Sequence, residues 1–386
     1  MRSHRSTAAV RAAAVAVGTV LAATGVAAAH VEYVTDTSER GDPVAFMRAA
    51  LSEPAVLVAL GGGGVVLLGT MAAYLRLRPV RSDARAFRRA LADYTDLLPW
   101  LLRLAIGLPM LGAGFAGYLF TPLLTNADTV VPIRLFGVAV GFLLLFGLAT
   151  RLVAGLTVLS YLVLLPSHPQ LFFAFEYLAG LLAIVLVGGG RPSADHVIAR
   201  MAANEETLYS RFDPFYRRIA VPVGERIDPY RKFVPTVLRV GMGIVFAYLA
   251  FAEKLLAPAQ ALAVVEKYGL STVVPVPPEL WVLGASLTEL FLGVLLVLGF
   301  FTRASSAAAF VVFTTTLFGL ADDPVLAHIS LFGLVSALLV TGAGPMAVDT
   351  AVFRAPNEMG TPETGGEAVG GTTPSGDTGT AADADR

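Results

Sequence analysis

The chain has 386 residues, of which 55% are hydrophobic and 15% charged, with a net charge of −1 and a mean hydropathy of +0.70. Soluble domains carry about 25% charged residues, so this composition points to a bilayer, and the near-neutral charge gives no basis for nucleic-acid binding. Cysteine is absent, which excludes dithiol relays, Fe–S clusters and zinc–thiolate sites within the chain.

Residues 1–29 read as a secretory signal peptide: Arg2, Arg5 and Arg11 precede an apolar run that ends in Ala27, Ala28 and Ala29. A short polar segment, 30–53, then lies outside the cytoplasm. Residues 54–75 form the first apolar span, with Gly61, Gly62, Gly63 and Gly64 inside it; in a bilayer such small residues allow close helix contact. The loop 76–98 holds Arg76, Arg78, Arg81, Arg85, Arg88 and Arg89, a density that marks the cytoplasmic side.

Four spans follow at 99–120, 130–150, 152–166 and 170–188, within a unit bounded at 99–200. The linker 201–233 is again rich in Arg and cytoplasmic. Its two stretches of basic and aromatic residues, 213–218 and 228–233, suit interfacial turns in the headgroup layer. Four more spans lie at 234–256, 280–300, 304–320 and 325–343, within a unit bounded at 234–354. Residues 355–386 are rich in Gly, Thr and acidic side chains, and read as a disordered tail. The expected protein is all-α and polytopic, with about nine transmembrane helices after the signal peptide. It sits in the plasma membrane, with the mature N-terminus outside and the C-terminus cytoplasmic.

The two four-span blocks resemble each other. Gly141, Gly147, Thr150 and Arg151 recur 152 residues on as Gly293, Gly299, Thr302 and Arg303. Arg103 and Gly107 match Arg239 and Gly243, and 190–195 resembles 344–349. Each block has an even number of spans, so the copies are two parallel four-helix bundle repeats. The second copy has an extra external loop, 257–279. Arg103, Arg151, Arg239 and Arg303 fall at cytoplasmic span ends and read as snorkelling anchors.

Charges inside spans face a bundle interior or a cavity. Glu289 lies roughly 13 Å into its helix at 1.5 Å per residue. His328 is one turn inside the outer end of the last span, and Glu253 and Lys254 sit at the outer end of 234–256. These four are the candidates for one outward-facing pocket. The repeat offset pairs Glu289 with His328 across two helices and suggests a structural ion pair, Arg134 with Glu176, in the first copy. A deep carboxyl beside an imidazole can handle protons for a bound quinone headgroup. No metal or haem site is assigned: of His4, His30, His168, His196 and His328, only His328 lies clearly inside a span. His30 would become an N-terminal residue suited to copper, but no second His is near it in sequence.

Arg239, Gly241, Gly243, Glu253, Lys254, Leu255, Glu289, Gly293, Gly299, Thr302, Arg303, His328 and the stretch 342–349 resemble the DoxX family. The resemblance covers 234–352 and, more weakly, 99–200, where the Lys and the second-helix Glu are missing. It implies a four-helix membrane unit, in some members tied to thiosulfate:quinone or quinol oxidoreduction. The expectation is a quinone-linked redox subunit with a redox partner in the bilayer. A non-catalytic scaffold subunit and a small-solute transporter are the alternatives.

Overall fold

The computed structural model describes residues 39–124, 130–212, 216–321 and 325–352. The signal peptide, His30 and the acidic tail 355–386 lie outside the described residues. Among those described there is no strand, only an isolated bridge between Leu119 and Thr121. Five helices are long and apolar enough to cross a membrane: Pro54–Leu77, Thr95–Ala116, Pro169–Val187, Tyr216–Leu255 and Pro278–Leu298. The chain is an all-α membrane protein.

The N-terminal part is α1 (Pro43–Ser52), α2 (Pro54–Leu77) and α3 (Arg81–Ala92). Asp42 caps α1 by accepting from Val44 N at 2.8 Å and Ala45 N at 3.2 Å, which supplies partners to amides that the helix itself leaves unpaired. The segment 30–53, expected as merely polar, thus holds a helix. Pro54 opens α2, where a missing N–H costs nothing. In α2 only Val56 is buried. Most of the rest of this apolar helix is exposed, as a lipid-facing span would be. Gly61 to Gly64 have no neighbour within 4 Å of an added Cβ, so the close helix contact expected of them is not made among the described residues.

Two sets of helices follow. The first is α4 (Leu98–Ala116), α5 (Val130–Phe146), α6 (Thr150–Leu164) and α7 (Phe175–Val187), closed by α8 (Ala194–Ala203). A short helix, α9 (Val221–Ile227), leads into the second set: α10 (Val234–Tyr248), α11 (Pro258–Lys267), α12 (Leu270–Val273), α13 (Pro278–Leu298), α14 (Thr302–Gly319) and α15 (Val325–Thr341). The π-helical turn Leu249–Leu255 continues α10. α11 and α12 fill the stretch expected as an external loop.

The first helix of each set packs on the last helix of the other, α4 on α15 and α10 on α7. Each contact is a glycine against an alanine: a Cβ on Gly333 would collide with Ala105, and one on Gly241 with Ala179. Missing side chains let the backbones approach, which is how helices gain dispersion contact where lipid offers no hydrophobic drive. One apolar core runs through both sets, including Leu102, Ile106, Met110, Leu181, Leu238, Met242, Leu334 and Leu338. A second, smaller cluster joins Phe46, Ala50 and Val56 to Ala261, Val265, Val282 and Leu283. It seats α1 and the start of α2 on α11 and α13.

The span-end arginines are built into the fold. Arg103 is buried and donates to Leu144 O at 3.2 Å, Leu145 O at 3.0 Å and Pro192 O. Arg239 is buried and donates to Leu296 O at 3.2 Å, Ala343 O at 3.0 Å, Met346 O at 2.9 Å and Val297 O. The last carbonyls of a helix have no partner within it; here one guanidinium supplies several. So Arg103 and Arg239 do not snorkel to the headgroups, because their guanidinium groups donate to backbone carbonyls inside the protein instead. Two carboxylates cap the next helices. Asp195 accepts from Ala149 N at 2.6 Å and Thr150 N at 2.8 Å. Asp349 accepts from Phe301 N at 2.7 Å and Thr302 N at 2.8 Å. Both turns carry a non-glycine residue with positive φ, Ala149 at 50° and Phe301 at 52°.

Candidate functional site

In the second set, α10 does not stop where its counterpart does. α4 ends at Gly117, whose φ of +89° terminates the helix. The residue 136 positions later is Glu253, and there the chain continues as the π turn Leu249–Leu255. π turns cost hydrogen-bond geometry and recur at functional sites. This one presents the neighbouring Glu253 and Lys254 to a single cavity.

The cavity has a volume of about 880 Å³. Glu253, Lys254, Glu289 and His328 all line it, with Trp281 and Phe313 among its apolar walls. The Lys254 ammonium donates to Glu289 Oε2 at 2.8 Å, and the two side chains are 18% and 14% exposed. Glu253 and His328 are buried, at 1% and 3%. The imidazole of His328 stands against the rings of Phe313 and Phe332, with centroids 6.3 and 6.2 Å away.

The threonine hydroxyls in the wall donate to backbone carbonyls. Thr288 Oγ1 donates to Gly284 O at 2.7 Å, and Thr315 and Thr316 each donate to Val312 O at 2.9 Å. The chemistry of the cavity therefore rests on its ionisable groups. Its outer wall comes from the insert: Val264, Val265, Tyr268 and Leu270 line it, and Trp281 Nε1 donates to Val274 O at 3.3 Å to tie the insert to α13. Ala59 and Leu60 of α2 complete the lining. Neither the insert nor α2 was expected to contribute, because apolar residues in loops and spans look alike whether they face lipid, core or cavity.

The structure brings Glu253, Lys254, Glu289 and His328 to one place. Within it, Lys254 forms an ion pair with Glu289, a pairing the sequence did not single out, and His328 lines the same cavity. Arg134 and Glu176 are not brought together. Arg134 is exposed on α5, while Glu176 is buried at the boundary between the two sets, where Ser330 Oγ donates to its Oε1 at 3.4 Å.

The first set does not repeat the carboxylate of this site at the matching position. Gly137 stands where the offset of 152 places Glu289, and a Cβ there would lie 2.8 Å from Gly114 Cα. Two glycines thus bring α4 and α5 together across the space that a carboxylate would need.

The DoxX family model matches residues 234–321. The chain carries a DoxX domain. Glu253, Lys254 and Glu289 fall inside the matched stretch of the DoxX domain, and His328 lies just beyond it. The match begins at the first residue of α10 and ends two residues after α14. No curated protein and no solved structure matches the chain.

Proposed function

We propose that the DoxX domain is a quinone-binding redox subunit of the plasma membrane, and that the cavity between α10, α13, α14 and α15 is its quinone site. The observation that carries this reading is the convergence of Glu253, Lys254, Glu289 and His328 on one cavity that is otherwise apolar. Ligand sites of this kind combine an apolar wall with a few placed polar groups, and volumes of about 300–1,000 Å³ are usual. A quinone fits that donor set: an apolar ring and tail need walls such as Trp281 and Phe313, and two ring oxygens need N–H donors. When bound, it supplies two-electron, two-proton redox chemistry.

The residues of the chain then have separate tasks. Lys254 donates to one ring oxygen and is held in place by Glu289. The ring of His328, fixed between Phe313 and Phe332, offers the second N–H. Glu289 and His328 take up and release protons, and Glu253 adds a further polar group to the cavity wall. Trp281, with the insert, keeps bulk water from the headgroup. Electrons come from a partner subunit or a small sulfur compound, since a chain without cysteine brings no thiol relay of its own.

The membrane topology belongs to the same reading. α2 and the two four-helix sets give nine spans after a cleaved signal peptide, with the N-terminus outside. The two sets are parallel copies of one unit, of which only the second keeps a site. The matching Arg103 and Arg239 caps, the matching Asp195 and Asp349 caps, and the reciprocal Gly–Ala contacts support the duplication.

Gly284 provides a test that leaves the ionisable groups alone. It lines the cavity and has nothing within 4 Å of an added Cβ. Gly284→Leu is expected to fill the space while raising or preserving stability, because Leu exceeds Gly in helix propensity by about 0.8–1.0 kcal/mol. A fluorescent quinone analogue titrated into purified protein should lose binding at least ~100-fold, a loss of about 2.7 kcal/mol. Unchanged affinity in a folded Gly284→Leu protein would place the quinone elsewhere or nowhere.

A further inference from the structure

The cavity has a mouth, and its rim decides what can enter. A lining residue that is itself exposed marks that rim. Such residues are Ala59 of α2, Val273 and Val274 of the insert, Thr288 of α13, and Thr315 and Gly319 of α14. The four ionisable groups are set back from it: Glu253 and His328 are buried, and Lys254 and Glu289 are half-buried. Thr288 directly precedes Glu289 in α13, so the ion pair with Lys254 begins one residue inside the rim.

The rim stands at bilayer depth. Thr288 follows Pro278 by ten residues, roughly 15 Å along α13, and Thr315 lies four residues before the end of α14, roughly 6 Å. From Ala304 to Gly319, α14 has no ionisable side chain; that stretch runs for roughly 24 Å, most of the ~30 Å hydrocarbon thickness. Next to the rim along the same two helices, Leu287, Val311 and Phe318 are 43%, 61% and 83% exposed, as lipid-facing side chains would be. The rim hydroxyls bond to their own helices, Thr288 Oγ1 to Gly284 O at 2.7 Å and Thr315 Oγ1 to Val312 O at 2.9 Å. A hydroxyl turned to hydrocarbon has no other acceptor. Away from the bilayer, the insert forms a roof. Ala261, Val264, Val265, Tyr268 and Leu270 line the cavity without being exposed, and the Trp281 Nε1 bond to Val274 O holds the roof down.

We infer that the cavity opens sideways into the bilayer through the gap between α13 and α14, and that its ligand is a lipid-dissolved amphiphile that enters head first and leaves its tail among the lipid chains. The inference rests on the membrane reading and on the cavity as a quinone site, and it adds the route and the tail. A tail-free headgroup arriving from water meets the roof.

The chain has no cysteine, so a single introduced cysteine can be spin-labelled without background. Full-length protein carrying Thr315→Cys, Phe318→Cys or Glu266→Cys is placed in phosphatidylcholine vesicles. Each label is then tested for access by oxygen, which concentrates in lipid, and by a water-soluble nickel chelate. Glu266, exposed on α11, gives the water reference and Phe318 the lipid reference. The label at position 315 should follow that at 318, reached by oxygen and shielded from nickel. Nickel access as high as at position 266 would overturn the inference. A second arm compares a quinone analogue bearing a decyl tail with one bearing a methyl group in its place. Thr315→Trp crowds the gap and should weaken the tailed analogue at least ~10-fold more than the other, within the range that overpacking costs. Equal losses would overturn the inference as well. If neither analogue binds the unaltered protein, the quinone reading fails, and the label at position 315 still decides whether the cavity opens to lipid.

Discussion

Arg239→Met is expected to cost about 3–5 kcal/mol, the range for removing one side of a buried charged network, and to prevent stable assembly of the second four-helix set. Four carbonyls depend on this guanidinium, those of Leu296, Val297, Ala343 and Met346. They belong to two chain segments that the arginine ties to α10. Met fills part of the volume but donates nothing, so all four carbonyls lose this donor, Leu296 O alone keeping the Gly299 amide at 3.0 Å, in a place where Arg239 was 2% exposed. An unsatisfied buried polar group costs about 1–3 kcal/mol, and partial relaxation limits the sum. Arg239→Lys should fall between the two, because a point charge with three donors cannot span four acceptors set in a fork. Thermal unfolding in mild detergent reads this directly. An Arg239→Met protein that melts with the unaltered one would mean that water already satisfies those carbonyls.

Lys254→Met should be more damaging than the double change of Lys254→Met with Glu289→Gln. The single variant leaves a carboxylate in an apolar cavity with its cation removed, whereas the double variant removes both charges. The pair is 2.8 Å apart and each side chain keeps some exposure, 18% and 14%, so solvent screens part of the penalty. A coupling of about 0.5–3 kcal/mol is expected from the four-protein cycle. Quinone-analogue affinity should fall about 10- to 100-fold in Lys254→Met, the equivalent of one charge-assisted hydrogen bond. Strict additivity of the two changes would show that the ammonium and the carboxylate do not act as a unit.

Much of this architecture was legible in the chain. Each apolar run among the described residues is a helix, since a segment that must satisfy its own backbone in lipid has little choice of conformation. The resemblance between 141–151 and 293–303 anticipated turns that share positive φ at Ala149 and Phe301. The four ionisable residues of the cavity stood out because charge inside a span is costly and needs a reason.

What escaped the sequence was which face of each helix looks inward. In a soluble helix the polar face marks the outside; here lipid-facing and core-facing residues are equally apolar. That is why the insert 257–279 looked like a loop and not a wall, and why Arg134 seemed a partner for Glu176. Arg103 and Arg239 at span ends gave the same ambiguity. An arginine that snorkels and one that folds back onto carbonyls 41 to 107 residues away have the same local sequence. The π turn at 249–255 has no signature in residue type, so Lys254 could not be aimed at Glu289 beforehand.

The most direct test of the central claim is to purify the full chain from its membrane in mild detergent and extract it for bound quinone, beside Glu289→Ala and His328→Ala. A quinone site predicts stoichiometric quinone in the unaltered protein and its loss from both folded variants. If the unaltered protein carries none and takes up no added analogue, the cavity is not a quinone site and the chain is a scaffold.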